Sequence, residues 1–154
     1  IDKEKAIALG YEVLPGDAWL SQEVDILIPA ALENQITPAV FGNISKQVKI
    51  LCEAANGPTT PDCDELIKEA GIMLIPDFLC NAGGVTCSYF EQVQCNMNYF
   101  WPKDEVLTKL EAAMTKAFQD VYDLAQEQQL YMRDAAYVIS INRVVNAVKA
   151  RGWV

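Results

Sequence analysis

Apolar positions run along this chain in two rhythms. The first part carries three short apolar runs, Val24-Asp-Ile-Leu-Ile28, Val48-Lys-Ile-Leu-Cys52 and Ile72-Met-Leu-Ile75, each closed by turn-forming residues. Runs of that length suit buried parallel strands. Between them, Thr37-Pro38 opens a weakly periodic helix through Val40, Phe41 and Ile44. Thr60-Pro61-Asp62 opens a second, with Leu66 and Ile67 facing inward and Gly71 as its stop. The order strand, helix, strand, helix, strand predicts right-handed parallel crossovers and an α/β sheet. From Pro102 onward the rhythm is helical. Leu107, Leu110, Met114, Phe118, Val121 and Ala125 form one apolar stripe, and a polar Gln-Glu-Gln-Gln stretch breaks it. Ala135, Val138, Ile141, Val145 and Val148 form another, with Asp134 as a cap candidate and Gly152 past its end. Ahead of the first strand, Ile1, Lys5 and Leu9 share helical spacing without a convincing N-cap, as a truncated beginning would. Gly10 then stops this helix, and Tyr11 to Leu14 reads as extended up to the turn pair Pro15-Gly16.

In an open parallel sheet the loops after the carboxyl ends of the strands lie along one edge, where ligands bind. Pro29 to Gln35, Glu53 to Pro61 and Pro76 to Gly84 are therefore expected to converge. Pro76 cannot donate to a ladder, so strand pairing should end there. Asn81 tolerates unusual backbone angles, Gly83-Gly84 permits close backbone approach to a ligand, and helical spacing resumes at Val85, Tyr89 and Val93. Val85 and Ser88 would then share a face of the first helical turn. An apolar wall, a hydroxyl and unpaired N–H groups of partial positive charge would meet there. Taken singly, Asn-Gly-Pro and Gly-Gly are ordinary turn chemistry; three such loops on one edge favour a ligand site.

Composition narrows the function classes. A chain of 154 residues fits one domain, and 51% hydrophobic residues can form a real core. No apolar run is long enough to span a bilayer. A net charge of −9 without a basic stripe disfavours nucleic acid as a partner. Cys52, Cys63, Cys80, Cys87 and Cys95 are odd in number and lack CxxC spacing, which points to reduced thiols and a cytoplasmic protein. There is no histidine, which removes Ser-His and Cys-His nucleophile arrangements and the commonest zinc ligand, so no metal site is expected.

Pro76-Asp77-Phe78, Asn81-Ala-Gly-Gly84 and Ser88-Tyr-Phe-Glu91, with Glu53-Ala-Ala-Asn-Gly-Pro-Thr-Thr-Pro61 upstream, resemble the cofactor-binding domain of glutamate dehydrogenases. The wider family also includes leucine, phenylalanine and valine dehydrogenases. The resemblance runs from about Pro15 to Trp153. It implies a partial Rossmann-type parallel sheet flanked by helices, with a C-terminal helical segment. Residues 1–154 would form the C-terminal part of a dinucleotide-binding domain, with 1–101 as the α/β portion and 102–154 as C-terminal helices. The family reaction is the reversible oxidative deamination of an amino acid, with hydride passing between the substrate α-carbon and NAD or NADP. By motif, Asn56 and Asn81 correspond to groups contacting the nicotinamide riboside, Ala30 and Ala31 lie beside the cofactor, and Val85 and Ser88 correspond to substrate side-chain contacts.

Ser88 and the Asn-Gly-Pro-Thr-Thr-Pro loop resemble the glutamate branch, so the implied substrate pair is L-glutamate and 2-oxoglutarate. A branched-chain or aromatic amino-acid dehydrogenase is the alternative within the family, and a noncatalytic nucleotide-binding or assembly module is the alternative outside it. Ala54 stands where the family often has glycine. Cys80 and Cys87 acquire no role. The family's catalytic lysines and acidic residue belong to a separate substrate domain and have no counterpart here, so no catalytic residue is assigned. The G-x-G-x-x-G phosphate turn and the acidic residue that reads the ribose are absent too, which leaves NAD and NADP undistinguished. The resemblance also implies a homo-oligomer and an N-terminal substrate domain as partner. In the family the last helix packs back towards that domain, so the stripe from Val138 to Val148 is expected to be partly uncovered.

Overall fold

The computed structural model describes residues 2–153. Seven α-helices and three strands are formed among them: α1 (Lys3–Ala8), β1 (Ile26–Leu27), α2 (Pro38–Phe41), β2 (Ile50–Cys52), α3 (Asp64–Glu69), β3 (Met73–Ile75), α4 (Asp77–Cys80), α5 (Ala82–Met97), α6 (Lys103–Gln128) and α7 (Met132–Ala150). A single 3-10 turn, Pro61–Cys63, leads into α3. The strands form one parallel sheet in the order β1-β2-β3. The chain is α/β, as its alternating pattern predicts, but the strands are only two or three residues long.

Register explains which face is core. Leu27, Leu51 and Leu74 are aligned across the sheet and point one way. All three are buried, in a cluster with Leu20, Ile36, Ile44, Val48, Cys63 and Ile67 that α2 and α3 help to close. Each fully buried leucine contributes about 1.5–3 kcal/mol to this layer. Ile26, Ile50 and Met73 form the opposite row. There α6 and α7 close a second cluster of Leu79, Val121, Ala125, Met132, Ala135 and Ala136, against which Met73 and Ile75 pack. This second face is covered at β3 and open at β1, where Ile26 and Ile28 are half exposed or more. The first apolar run is therefore buried on one side only.

Several local expectations change. Asp2 does cap α1, its carboxylate accepting the Lys5 N–H at 3.0 Å. Ile1 lies outside the described residues, and Tyr11 to Leu14 joins no strand. Gly10, Gly71 and Gly152 each adopt the positive φ of a helix stop. Asp134 is not a cap. Tyr131 occupies that position, and Asp134 lies inside the first turn of α7, where its charge still suits the helix dipole. The polar break after α6 is the left-handed residue Gln129. On α7, Ile141 is 56% exposed, and Val138 and Val145 are also exposed. No described helix is long and apolar enough to cross a membrane.

Candidate functional site

The three loops that follow the strands do meet. Ala55 N–H donates to Pro29 O at 2.9 Å, Asn34 N–H to Gly57 O at 2.8 Å and Ile36 N–H to Pro58 O at 2.8 Å, which sews the first loop to the second. Gly57, at φ +51, makes the turn. The third loop joins through side chains: Asn81 Nδ2 donates to Asn56 Oδ1 at 2.8 Å, and Gly57 N–H donates to Asp77 Oδ2 at 2.9 Å. Between them opens a cleft of about 680 Å3, lined by Ala31, Leu32, Ala54, Asn56, Asn81 and Val85 among others.

Of the residues singled out from sequence, Ala31, Asn56, Asn81 and Val85 line this cleft. Ala30 lines an adjoining hollow of about 470 Å3, which shares Ala31 and Leu32. Ser88 lines neither. Its hydroxyl donates to Gly84 O at 3.2 Å, and it is exposed.

The glycine loop itself is not a loop. Residues 77–80 form the short helix α4, and α5 begins at Ala82, so Gly83 and Gly84 are helical. Neither has positive φ. A Cβ on Gly83 would touch Leu110 and Met114, at 3.9 and 4.0 Å, whereas one on Gly84 would meet nothing within 4 Å. The earlier helix start moves Val85 to the fourth position of α5 and Ser88 to the seventh, beyond the first turn where the dipole acts. Apolar run length places β3 but cannot show that Pro76 caps a new helix directly.

A cluster that motif reading missed is joined to the cleft's loops through Asp77 and Gly57. Glu53, at the end of β2, is fully buried. Arg133, from the first turn of α7, grips it with two parallel bonds, Nη1 to Oε2 and Nη2 to Oε1, both 2.8 Å. The same guanidinium donates from Nε to Asp64 Oδ2 at 3.0 Å and from Nη2 to Asp64 Oδ1 at 3.1 Å. Its Nη1 lies 3.6 Å from Asp77 Oδ1. Glu53 Oε2 also accepts the Asp77 N–H at 3.0 Å, and Tyr131 O–H donates to Asp64 Oδ1 at 3.2 Å. Burial opposes the charged guanidinium, but the hydrogen bonds to Glu53 and Asp64 outweigh it and hold the Arg133 pKa above its ordinary value. Burial, with Asp64 beside it, pushes the Tyr131 phenol up. A signal was available in sequence: Glu53 and Asp77 are carboxylates at the ends of apolar strands, where burial demands a counter-charge, and all three arginines lie in the last helix or at its end.

The cleft offers small apolar walls and an amide pair but no cation. Asn56 Nδ2 and Asn81 Oδ1 make no side-chain hydrogen bond among the described residues, which leaves the pair one donor group and one acceptor. The sequence pattern of the Glutamate/Leucine/Phenylalanine/Valine dehydrogenase family matches residues 2–152. The chain belongs to that family. Family relatives include the NAD-specific glutamate dehydrogenase of Clostridioides difficile, 54% identical over 88% of this chain and 31% of that protein. The catabolic NAD-specific glutamate dehydrogenase of Bacillus subtilis is 45% identical over 93% of this chain and 33% of its own length. The chain thus spans about a third of the length of these curated relatives. Among solved structures, the glutamate dehydrogenase of Peptoniphilus asaccharolyticus aligns over 100% of this chain and 36% of its own, at a TM-score of 0.77 and 41% identity. Another glutamate dehydrogenase aligns over 99% of this chain and 35% of its own, at a TM-score of 0.87 and 28% identity.

Proposed function

We propose that this chain is the cofactor-side part of a longer NAD-dependent glutamate dehydrogenase, which interconverts L-glutamate with 2-oxoglutarate and ammonia. The observation that carries this reading is the Asn81–Asn56 amide pair at the mouth of the cleft formed by the strand-following loops. Its unpartnered NH2 and C=O complement the neutral polar groups of a nicotinamide riboside, its ribose hydroxyls and carboxamide, and Ala31, Ala54 and Ala55 leave room for a flat ring. The cleft's residues fit that end of a dinucleotide. Glu33 is the one ionisable side chain among those lining it, so the lining offers no side-chain cation to a pyrophosphate. NAD, when bound, supplies the hydride acceptor.

The chain's own residues then have limited roles. Asn56 and Asn81 orient the ring, Ala30 and Ala31 flank it, and Val85 presents an apolar wall, 69% exposed here, to the substrate side chain. Ser88 would exchange its bond to Gly84 O for one to the side-chain carboxylate of glutamate. Lysines that polarise the substrate and move protons come from the substrate domain. That domain would also cover the open α7 stripe. NAD rather than NADP is favoured by relatives that are named NAD-specific.

Steady-state kinetics of the full-length protein test this. The expectation is a kcat/KM higher for glutamate than for leucine and higher with NAD than with NADP, with Ser88→Ala lowering kcat/KM selectively for glutamate. A larger kcat/KM for leucine would overturn the glutamate assignment.

A further inference from the structure

The buried charged cluster has a direct line to the amide pair. Arg133 holds Glu53; Glu53 accepts the Asp77 N–H; Asp77 accepts the Gly57 N–H; and Gly57 follows Asn56, whose amide meets Asn81 four residues beyond Asp77. Every link is 3.0 Å or shorter. We propose that Arg133 is a positioning residue: by fixing Glu53 and Asp77 it sets the Asn56 turn against the start of α5, and so sets the geometry of the two amides that face the cofactor. This rests on the cofactor reading given above for Asn56 and Asn81.

Three features favour positioning over plain scaffolding. First, the bonds reach both amide-bearing loops at once, since Asp77 is hydrogen-bonded through its N–H to Glu53, the residue after β2, and through its carboxylate to the Asn56-Gly57 turn. Second, the planar fork of the guanidinium engages Glu53 and Asp64 together, which the single ammonium of a lysine cannot do with the same geometry. Third, the cluster is dry enough to hold one arrangement, with Glu53 wholly buried and the Arg133 side chain 15% exposed. Arg133 therefore transmits the position of α7, through β2 and α4, to the cleft. Loss of the fork would let the Asn56 turn shift, and misplacement of a reacting ring by about 1 Å costs about 100-fold in rate.

The test uses the full-length protein with Arg133→Lys, and Asn56→Ala as reference. Calorimetry measures the Kd for NAD and for ADP-ribose, which lacks the nicotinamide, and kinetics measures kcat and the KM for glutamate. Arg133→Lys is expected to lower kcat and NAD affinity by about 10- to 100-fold, as Asn56→Ala does, with ADP-ribose affinity and the glutamate KM within about threefold of the parent. Equal losses for NAD and ADP-ribose would reduce Arg133 to a scaffold residue and overturn the proposal. Parent-like behaviour of Arg133→Lys beside an impaired Asn56→Ala would overturn it while sparing the cofactor reading. Parent-like NAD affinity in Asn56→Ala would overturn that reading, and this proposal with it. Should Arg133→Lys fail to fold, Asp77→Ala cuts the link to Gly57 while leaving the Arg133–Glu53 fork, and it must show the same split; ADP-ribose and NAD moving together in that variant would overturn the proposal.

Discussion

The buried charged cluster behind the cleft-lining loops, the floor, and the exposed amide pair, the rim, treat polar groups differently. On the floor, Glu53 is buried and doubly bonded to Arg133, which also engages Asp64 and approaches Asp77. On the rim, Asn56 is exposed, and each amide of the Asn56–Asn81 pair keeps hydrogen-bonding capacity in reserve. Charges taken out of water are tolerable only when paired, so the floor's groups are committed to one another. Neutral amides cost less to leave partly unpaired, and they remain available to a ligand. The floor's groups therefore hold the fold and the position of the rim, and the rim keeps hydrogen-bonding capacity for a ligand.

The sharpest way to break that division is at the floor. Glu53→Ala strands the Arg133 guanidinium beside one remaining close partner, and a loss of about 3–5 kcal/mol in urea unfolding is expected. A loss under about 1 kcal/mol would mean that the cluster carries little of the fold. Asp77→Ala should cost less, about 2 kcal/mol, because the Gly57 N–H loses a charged acceptor while the Arg133–Glu53 fork persists.

A pH series probes the apolar core next to the floor, at Cys63, the residue before Asp64. Burial first, then Asp62 and Asp64, pushes the Cys63 thiol from 9.0 up to about 11. The folded state thus holds that proton more tightly than the unfolded state. The contribution is present below about pH 9 and is lost as pH rises from there towards about 11. Stability should fall by about 1 kcal/mol per pH unit in that window on this account. Cys63→Ala should flatten the slope, and an unchanged slope in that variant would assign the loss to other groups. The smallest effect belongs to the rim. Asn81→Ala should shift stability by less than about 0.5 kcal/mol, since it removes one exposed side-chain bond, yet weaken NAD binding by the full-length protein. A stability loss comparable to that of Asp77→Ala would place Asn81 with the floor.

Much of this arrangement is legible in the sequence. The three apolar runs each produce a strand, the turn chemistry of Asn56-Gly57-Pro58 produces a positive φ at Gly57, and the sheet-edge rule brings the three loops together. Asn56, Asn81 and Val85 line the resulting cleft with Ala31. Local pattern puts Ser88 one turn too near the helix start, because glycines read locally as loop while helix packing against α6 accommodates Gly83 within α5. Propensity is a weak prior where tertiary contacts decide.

Local pattern by itself determined the α/β alternation, the order of the strands and of the longer helices, and the turn at Gly57, because each depends on side-chain period or backbone freedom within a few residues. Only the tertiary structure decided which face of each strand is buried at β1 and where Ser88 points. It also decided that Arg133 meets Glu53, 80 residues away in sequence. A buried carboxylate announces that it needs a cation but not which one. The choice follows from where α7 docks on β3, and no local rule encodes that distance.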